Sequence, residues 1–177
     1  MGFAIEMFFD KSTECAILEY WKSLYDTDLS KVLFELGGRP HITLAVYNDV
    51  DVNKLRDKLA IFLEERKALK LRFESVSVFP TDPSVVFLAP GMTDSLRDIH
   101  REYHNIMQDF SVNEWEYYLP NKWVPHCAIA MEVPRENVSS VVGHIMSKIY
   151  QFDFTIEEVG IVEFRPIRHL ETFKLHA

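Results

Sequence analysis

The chain is poor in cysteine and in positive charge. Two cysteines, Cys15 and Cys127, occur in 177 residues, far apart and in no C-x-x-C pair, which argues against a cysteine-based zinc site and leaves a disulfide unsupported. Lys and Arg total 19 against 27 Asp and Glu, a formal charge of −8. That balance argues against a protein that wraps long nucleic acid, which needs a basic footprint. It leaves room for a small phosphorylated ligand, because a few local cations can hold one phosphate. Low-complexity segments are also missing. The opening stretch, Met1 to Phe9, is apolar but lacks a basic start, contains Glu6 and runs into Asp10. It reads as neither a signal peptide nor a membrane span, so a cytoplasmic protein with no membrane partner is expected. Hydrophobic residues at 47% and charged residues at 26% are the proportions of a globular chain, long enough for one domain or two small lobes.

What the chain does have is a phrase used twice. Pro40-His41-Ile42-Thr43-Leu44-Ala45 returns as Pro125-His126-Cys127-Ala128-Ile129-Ala130, the histidines 85 positions apart. Each phrase reads as the start of a buried strand with a polar residue at its mouth. The repeat extends further: Arg72 to Phe79 aligns with Thr155 to Val162, matching Glu74 with Glu157 and Val76 with Val159. A period this long means two lobes rather than a solenoid.

Hydrophobic periodicity fills in the elements. A strand is predicted over 2–9, then a helix to about Tyr25 capped by Asp10 or Ser12, with Ala16, Ile17, Tyr20, Trp21 and Leu24 inward. Residues 29–38 are ambiguous. The first His strand runs to about Tyr47. A helix capped by Asp49 or Asp51 follows, to about Lys67, then a hairpin of strands over 69–79 and 84–89. Thr93 caps a third helix bearing Leu96, Ile99, Tyr103, Ile106, Met107 and Phe110. An aromatic link covers 111–122. The second His strand covers about 124–132, and a helix from Pro134 runs to about Tyr150 with Val138, Val141, Val142, Ile145 and Ile149 inward. Strands over 152–164 and 170–176 close the chain. The expected fold is therefore α+β: a single bilobal domain over 1–177, with approximate repeats 11–90 and 92–177 and the first strand outside the repeat. Each lobe is expected to be an antiparallel sheet backed by helices, and the two His strands to face each other across a central cleft along a pseudo-twofold.

Residues two apart on a strand share a face, so His41 and Thr43 point the same way. An imidazole moves protons near neutral pH, and a hydroxyl two residues on can donate to a phosphate oxygen. The repeat gives His126 the same place in the other lobe. With a phosphate between them, one neutral histidine can activate water or a ribose hydroxyl while the other protonates the leaving oxygen, with no metal or other cofactor. The competing reading of any one histidine in an apolar strand is a core residue. Two in matched frames favour a shared site.

These two phrases, at this spacing and across essentially the whole chain, resemble the 2H phosphoesterase superfamily, the 2′-5′ RNA ligase or LigT-like cyclic phosphodiesterase family, marked by two His-x-[Thr/Ser] motifs on pseudo-symmetric lobes. The resemblance implies a metal-independent phosphoesterase acting on 2′,3′-cyclic or 2′,5′-linked nucleotide phosphodiesters, with His41 and His126 as acid and base, Thr43 binding phosphate, and RNA ligation as the reverse sense of the same chemistry. The partner it implies is a small nucleotide or an RNA-end phosphodiester. Ala128 departs from the pattern: a phosphate-binding hydroxyl is missing from the second motif, a loss of about 1.5–3 kcal/mol if that bond forms to a charged group. The alternative is a nucleotide-binding module of the same fold with weak or no catalysis. A third reading, a structural protein with core histidines, predicts that His41→Ala lowers stability and that no phosphate ligand protects the fold.

Other residues invite functional readings beside plainer ones. His100 and His104 have a metal-binding spacing, but His-Arg-Glu-Tyr-His is not the zinc-protease pattern, and polar positions flanking an apolar stripe explain them. Arg39, Lys122, Arg165 and Arg168 can lend charge to a cleft or simply solvate the surface. Trp115, Tyr117, Tyr118 and Trp123 can stack bases or lid a core, the favoured reading. Cys127 alternates away from His126 and should point inward.

Overall fold

A computed structural model describes residues 2–148 and 152–177. The elements run β1 (Gly2–Phe9), α1 (Lys11–Asp26), α2 (Val32–Leu36), β2 (His41–Tyr47), α3 (Val52–Leu63), β3 (Leu69–Phe79), β4 (Ser84–Pro90), α4 (Asp94–Ile106), β5 (Cys127–Val133), α5 (Val138–Met146), β6 (Phe152–Phe164) and β7 (Arg168–Lys174). The ambiguous stretch resolves into the short α2, ended by Gly37 in the left-handed region at φ 65°, a conformation glycine adopts without strain. The third helix ends at Ile106, and Gln108–Asn113 continues as a 3-10 helix. His126 stands one residue ahead of β5. The expected inward position of Ile149 and the helix end near Tyr150 lie outside the described residues.

Local chemistry starts the helices where the sequence suggests. Asp10 caps α1, its carboxylate accepting from the Thr13 backbone N–H at 2.9 Å, and it also accepts from the Thr155 N–H of β6 at 2.8 Å. One side chain thus closes a helix end and ties it to a strand. Asp51 and Thr93 cap α3 and α4 in the same way. The inward stripes pack into one core that includes Ile17, Trp21 and Leu24 of α1, Leu55, Leu59 and Phe62 of α3, and Leu96, Ile99 and Tyr103 of α4.

All strand pairs are antiparallel, in the order β2-β1-β6-β3-β4-β5, and β7 also pairs with β6. The long β6 joins the halves: its first residues, from Phe152 to Ile156, pair with β3, and Glu158 to Glu163 pair with β7. The His41 strand therefore belongs to the β2-β1-β6-β7 side and the His126 strand to the β5-β4-β3 side.

Register shows how the duplication is built. Thr43 lies opposite Glu6, and Glu6 opposite Gly160; Ala128 lies opposite Phe87, and Phe87 opposite Ser77. Ser77 and Gly160 are matched positions of the repeated segments. The order β2-β1-β6 thus mirrors β5-β4-β3, and β1 is the counterpart of β4. The first strand, read from the sequence as standing outside the repeat, is part of it, and each half lends its third strand to the other side. A one-dimensional alignment hides this because β1 and β4 share little sequence. Gly160 is required where it stands: a Cβ there would lie 2.8 Å from the Phe8 ring and 2.9 Å from the Glu171 carbonyl oxygen. Among the described residues no helix is long and apolar enough to cross a membrane.

Candidate active site

His41 opens β2 and His126 stands just before β5, so both rings emerge where a buried strand meets the surface. Their anchoring is the same. The Nδ1 of His41 lies 2.7 Å from the Arg39 carbonyl oxygen, and the Nδ1 of His126 lies 2.7 Å from the Val124 carbonyl oxygen. A carbonyl only accepts, so each Nδ1 carries the proton, and each Nε2 is the nitrogen available for chemistry. Both rings, with Thr43 and Ala128, line one cavity of about 630 Å³. Burial pushes the Cys127 thiol up to about 12, against the opposing influence of the His41 backbone. Cys127 is buried and inward, as its alternation suggested.

The motif backbones are anchored symmetrically as well. The Trp123 indole N–H donates to the Thr43 carbonyl oxygen at 2.9 Å, and the Trp21 indole N–H donates to the Ala128 carbonyl oxygen at 3.0 Å. Equivalent carbonyls, one in each half, thus receive an indole from outside the sheet. Both indoles also line the cavity. Thr43 is buried, and its side chain opposes the rise that burial gives the Tyr118 phenol.

The surroundings of the two rings differ. Glu6, 7% exposed, places Oε2 3.3 Å from His41 Nδ1. Burial raises the pKa of this carboxyl against the opposing influence of His41, His169 and Arg39. His126 instead stands edge-on to Phe79, with ring centroids 4.9 Å apart at 89°, and 5.3 Å from Phe87. Burial, with repulsion from His41, pulls its pKa below the usual histidine value, against the pull of the Val124 carbonyl. Glu6, Phe79 and Phe87 had no role in the sequence reading. For Glu6 there was a signal, a lone charge inside an apolar strand. For the phenylalanines there was none, since aromatic residues are ordinary in strands.

The remaining candidates separate by contact. Arg39 does not line the cavity: its guanidinium reaches Glu14 at 2.8 Å and Glu158 at 3.0 Å and lies over the Phe8 ring. Arg168 pairs with Glu163. Lys122 lines the cavity and pairs with Glu116 at 2.7 Å. His100 and His104 turn away from solvent. His100 Nε2 lies 2.9 Å from the Tyr118 carbonyl oxygen and 3.0 Å from His104 Nε2, and His104 Nδ1 lies 3.0 Å from buried Glu114. The His100 ring stacks on Trp123 with centroids 3.9 Å apart. Burial, with repulsion from His104, lowers its pKa to about 4 despite the carbonyls of Tyr118 and Leu44. The pair clamps the aromatic link over the core. The link also lines the cleft, through Trp115, Tyr117, Tyr118 and Trp123.

Similar folds are known. TT0787 of Thermus thermophilus superimposes with a TM-score of 0.64 at 14% identity, covering 100% of this chain and 99% of that one. E. coli LigT complexed with 3′-AMP gives 0.63 at 12% identity, covering 99% and 98%, and LigT is also known complexed with NADP+ and with ATP. A protein described as a phosphoesterase gives 0.61 at 12% identity, covering 99% of each chain. At these identities the likeness establishes the fold. No curated protein sequence matches significantly. The family model of the 2′-5′ RNA ligase superfamily matches residues 19–166, a span that holds both histidine motifs and most of the sheet, and the chain belongs to that superfamily.

Proposed function

We propose that the cleft is the active site of a cytoplasmic phosphodiesterase that needs no metal and acts on 2′,3′-cyclic or 2′,5′-linked nucleotide phosphodiesters, with ligation of RNA ends as the reverse reaction. The observation that carries this reading is the matched anchoring of His41 and His126, each with Nδ1–H on the carbonyl two residues upstream and Nε2 left for one shared cavity. LigT, a relative in fold, is known with 3′-AMP bound, which supports a small nucleotide as ligand.

The different surroundings suggest different roles. His126, in an aromatic setting that disfavours its charged form, is the general base. His41, with Glu6 Oε2 3.3 Å from its Nδ1, takes the other role, the general acid. In hydrolysis of a cyclic diester, water loses a proton to His126 Nε2 as its oxygen bonds to phosphorus. The bond from phosphorus to one ribose oxygen breaks, and that oxygen takes the proton from His41 Nε2. Exchange with solvent then restores both rings. Thr43 donates a hydrogen bond to a non-bridging oxygen.

Hydrolysis of the nucleoside 2′,3′-cyclic phosphates in EDTA, by wild type, His41→Ala and His126→Ala with folding checked, tests the proposal. Turnover that survives EDTA and is lost in both variants supports it; turnover retained in either variant refutes the paired roles. Ala128 favours the second reading, a binding module. That reading predicts nucleotide-dependent thermal stabilisation without hydrolysis.

A further inference from the structure

The cavity that holds the two histidines is large for so little positive charge. Among the described residues that line it, the lysines and arginines come to Lys122 alone, and Lys122 is already within 2.7 Å of Glu116. Arg39, two residues before the first histidine, is held by Glu14 and Glu158, and Arg168 is held by Glu163. The second motif offers a methyl group at Ala128 where the first offers the Thr43 hydroxyl. Behind His41 stands a carboxylate, and the chain as a whole carries −8. The rest of the wall is rich in rings, from Trp21, Phe79, Trp115, Tyr117, Tyr118 and Trp123.

We propose that this cleft selects phosphodiesters bearing one negative charge between neutral, ring-containing groups, and discriminates against the same ligand once it carries a terminal phosphomonoester. The inference rests on reading the cleft as a phosphodiester site. A diester has one ionised oxygen, which Thr43, Lys122 and a protonated histidine can meet. A terminal phosphate adds about −1.5 to −2 at neutral pH. It would be desolvated against aromatic walls, and the described lining residues offer it no further lysine or arginine beyond Lys122. The neutral flanking groups find ring faces to stack on. The same preference bears on turnover. Hydrolysis turns the diester into a monoester and so adds charge at the moment of reaction, and a wall without further cations lets that product leave.

The test is a matched pair: adenosine 2′,3′-cyclic phosphate with a free 5′-hydroxyl, and the same compound bearing a 5′-phosphate. Both are assayed with the wild-type protein at low and at physiological ionic strength. The 5′-phosphate should lower kcat/KM by about tenfold or more at low salt, and the gap should narrow as salt screens the repulsion. Equal or better use of the 5′-phosphorylated compound at low salt would overturn the inference. Turnover of neither compound defeats the catalytic reading alone. The charge preference is then read from thermal stabilisation. It should be larger with the 5′-hydroxyl compound, and an equal, smaller or absent effect overturns it.

Discussion

Glu6 and His41 lie on neighbouring strands with Oε2 and Nδ1 3.3 Å apart, and this pair is what separates the two halves of an otherwise repeated site. The register position of Glu6, opposite Thr43, is held in the other half by Phe87, opposite Ala128. One half thus sets a carboxylate and a hydroxyl beside its histidine, the other a phenyl ring and a methyl group. Duplication made two equivalent imidazoles; these substitutions make them unequal.

Removing that carboxylate should expose its effect on catalysis. Glu6 is faced by His41 on β2, His169 on β7, Arg39 and Tyr118, so Glu6→Gln keeps the volume and removes the charge. The expected outcome is a loss of about tenfold in kcat/KM near neutrality, carried by kcat with KM little changed, as for an interaction made at the reacting histidine. A lower melting temperature with kcat unchanged would make Glu6 merely structural.

Ala128→Thr restores a hydroxyl to a half-buried position on the cavity wall. If the second motif lacks a hydrogen bond to the phosphate, the variant should raise kcat/KM on a cyclic diester by roughly ten- to a hundredfold, the equivalent of about 1.5–3 kcal/mol for a bond to a charged group. An unchanged or lower value, with the fold intact, would show that the site has adapted to the methyl group.

Asp10 links α1 to β6, and its stability contribution should depend on pH. Burial raises its pKa, but hydrogen bonds from Ser12, from the Thr13 backbone and side chain, and from the Thr155 N–H prevail and hold it at about 2. The folded value lies below the unfolded one, so the stabilisation is complete above about pH 4 and is lost as pH falls toward 2. Asp10→Ala should cost about 1–2 kcal/mol near neutrality, and the gap from wild type in urea unfolding should close across that acid window.

His100 has the same sign for a different reason. Burial and His104 lower its pKa to about 4, so the unfolded chain takes up its proton first and stability falls as pH drops from about 6.5 toward 4. His100→Gln removes that titration. Compared by chemical denaturation, wild type should lose more stability than the variant between about pH 7 and about pH 5, whereas the variant should be weaker by about 1–3 kcal/mol at neutrality through loss of a buried hydrogen bond. Equal slopes would place the pH response elsewhere.

Much of the architecture could be read from residues in order, because periodicity, caps and turn residues act locally. Asp10, Asp51 and Thr93 cap the helices as expected, and the strands over 2–9 and 69–79 have the bounds the pattern implied. The double Pro-His phrase singles out His41 and His126, whose rings line one cavity. Pairing across strands is a different kind of information. Whether Glu6 lies beside Thr43, or Phe87 beside Ala128, depends on register between segments far apart in the chain, and no local preference encodes it.

The sequence by itself determined the element types, the duplicated histidine frames and the shortage of positive charge, since each follows from residue identity and short-range spacing. Only the tertiary structure decided that the halves exchange strands through β6, that Arg39 is held by Glu14 and Glu158 outside the cavity, that Trp21 and Trp123 hold equivalent carbonyls, and that Glu6 stands behind one histidine while Phe79 and Phe87 flank the other. Each of these is a contact between groups distant in sequence. Their meeting is set by how one sheet and its helices bury a shared core, and the resulting burial and charge, not residue type alone, make the two imidazoles chemically distinct.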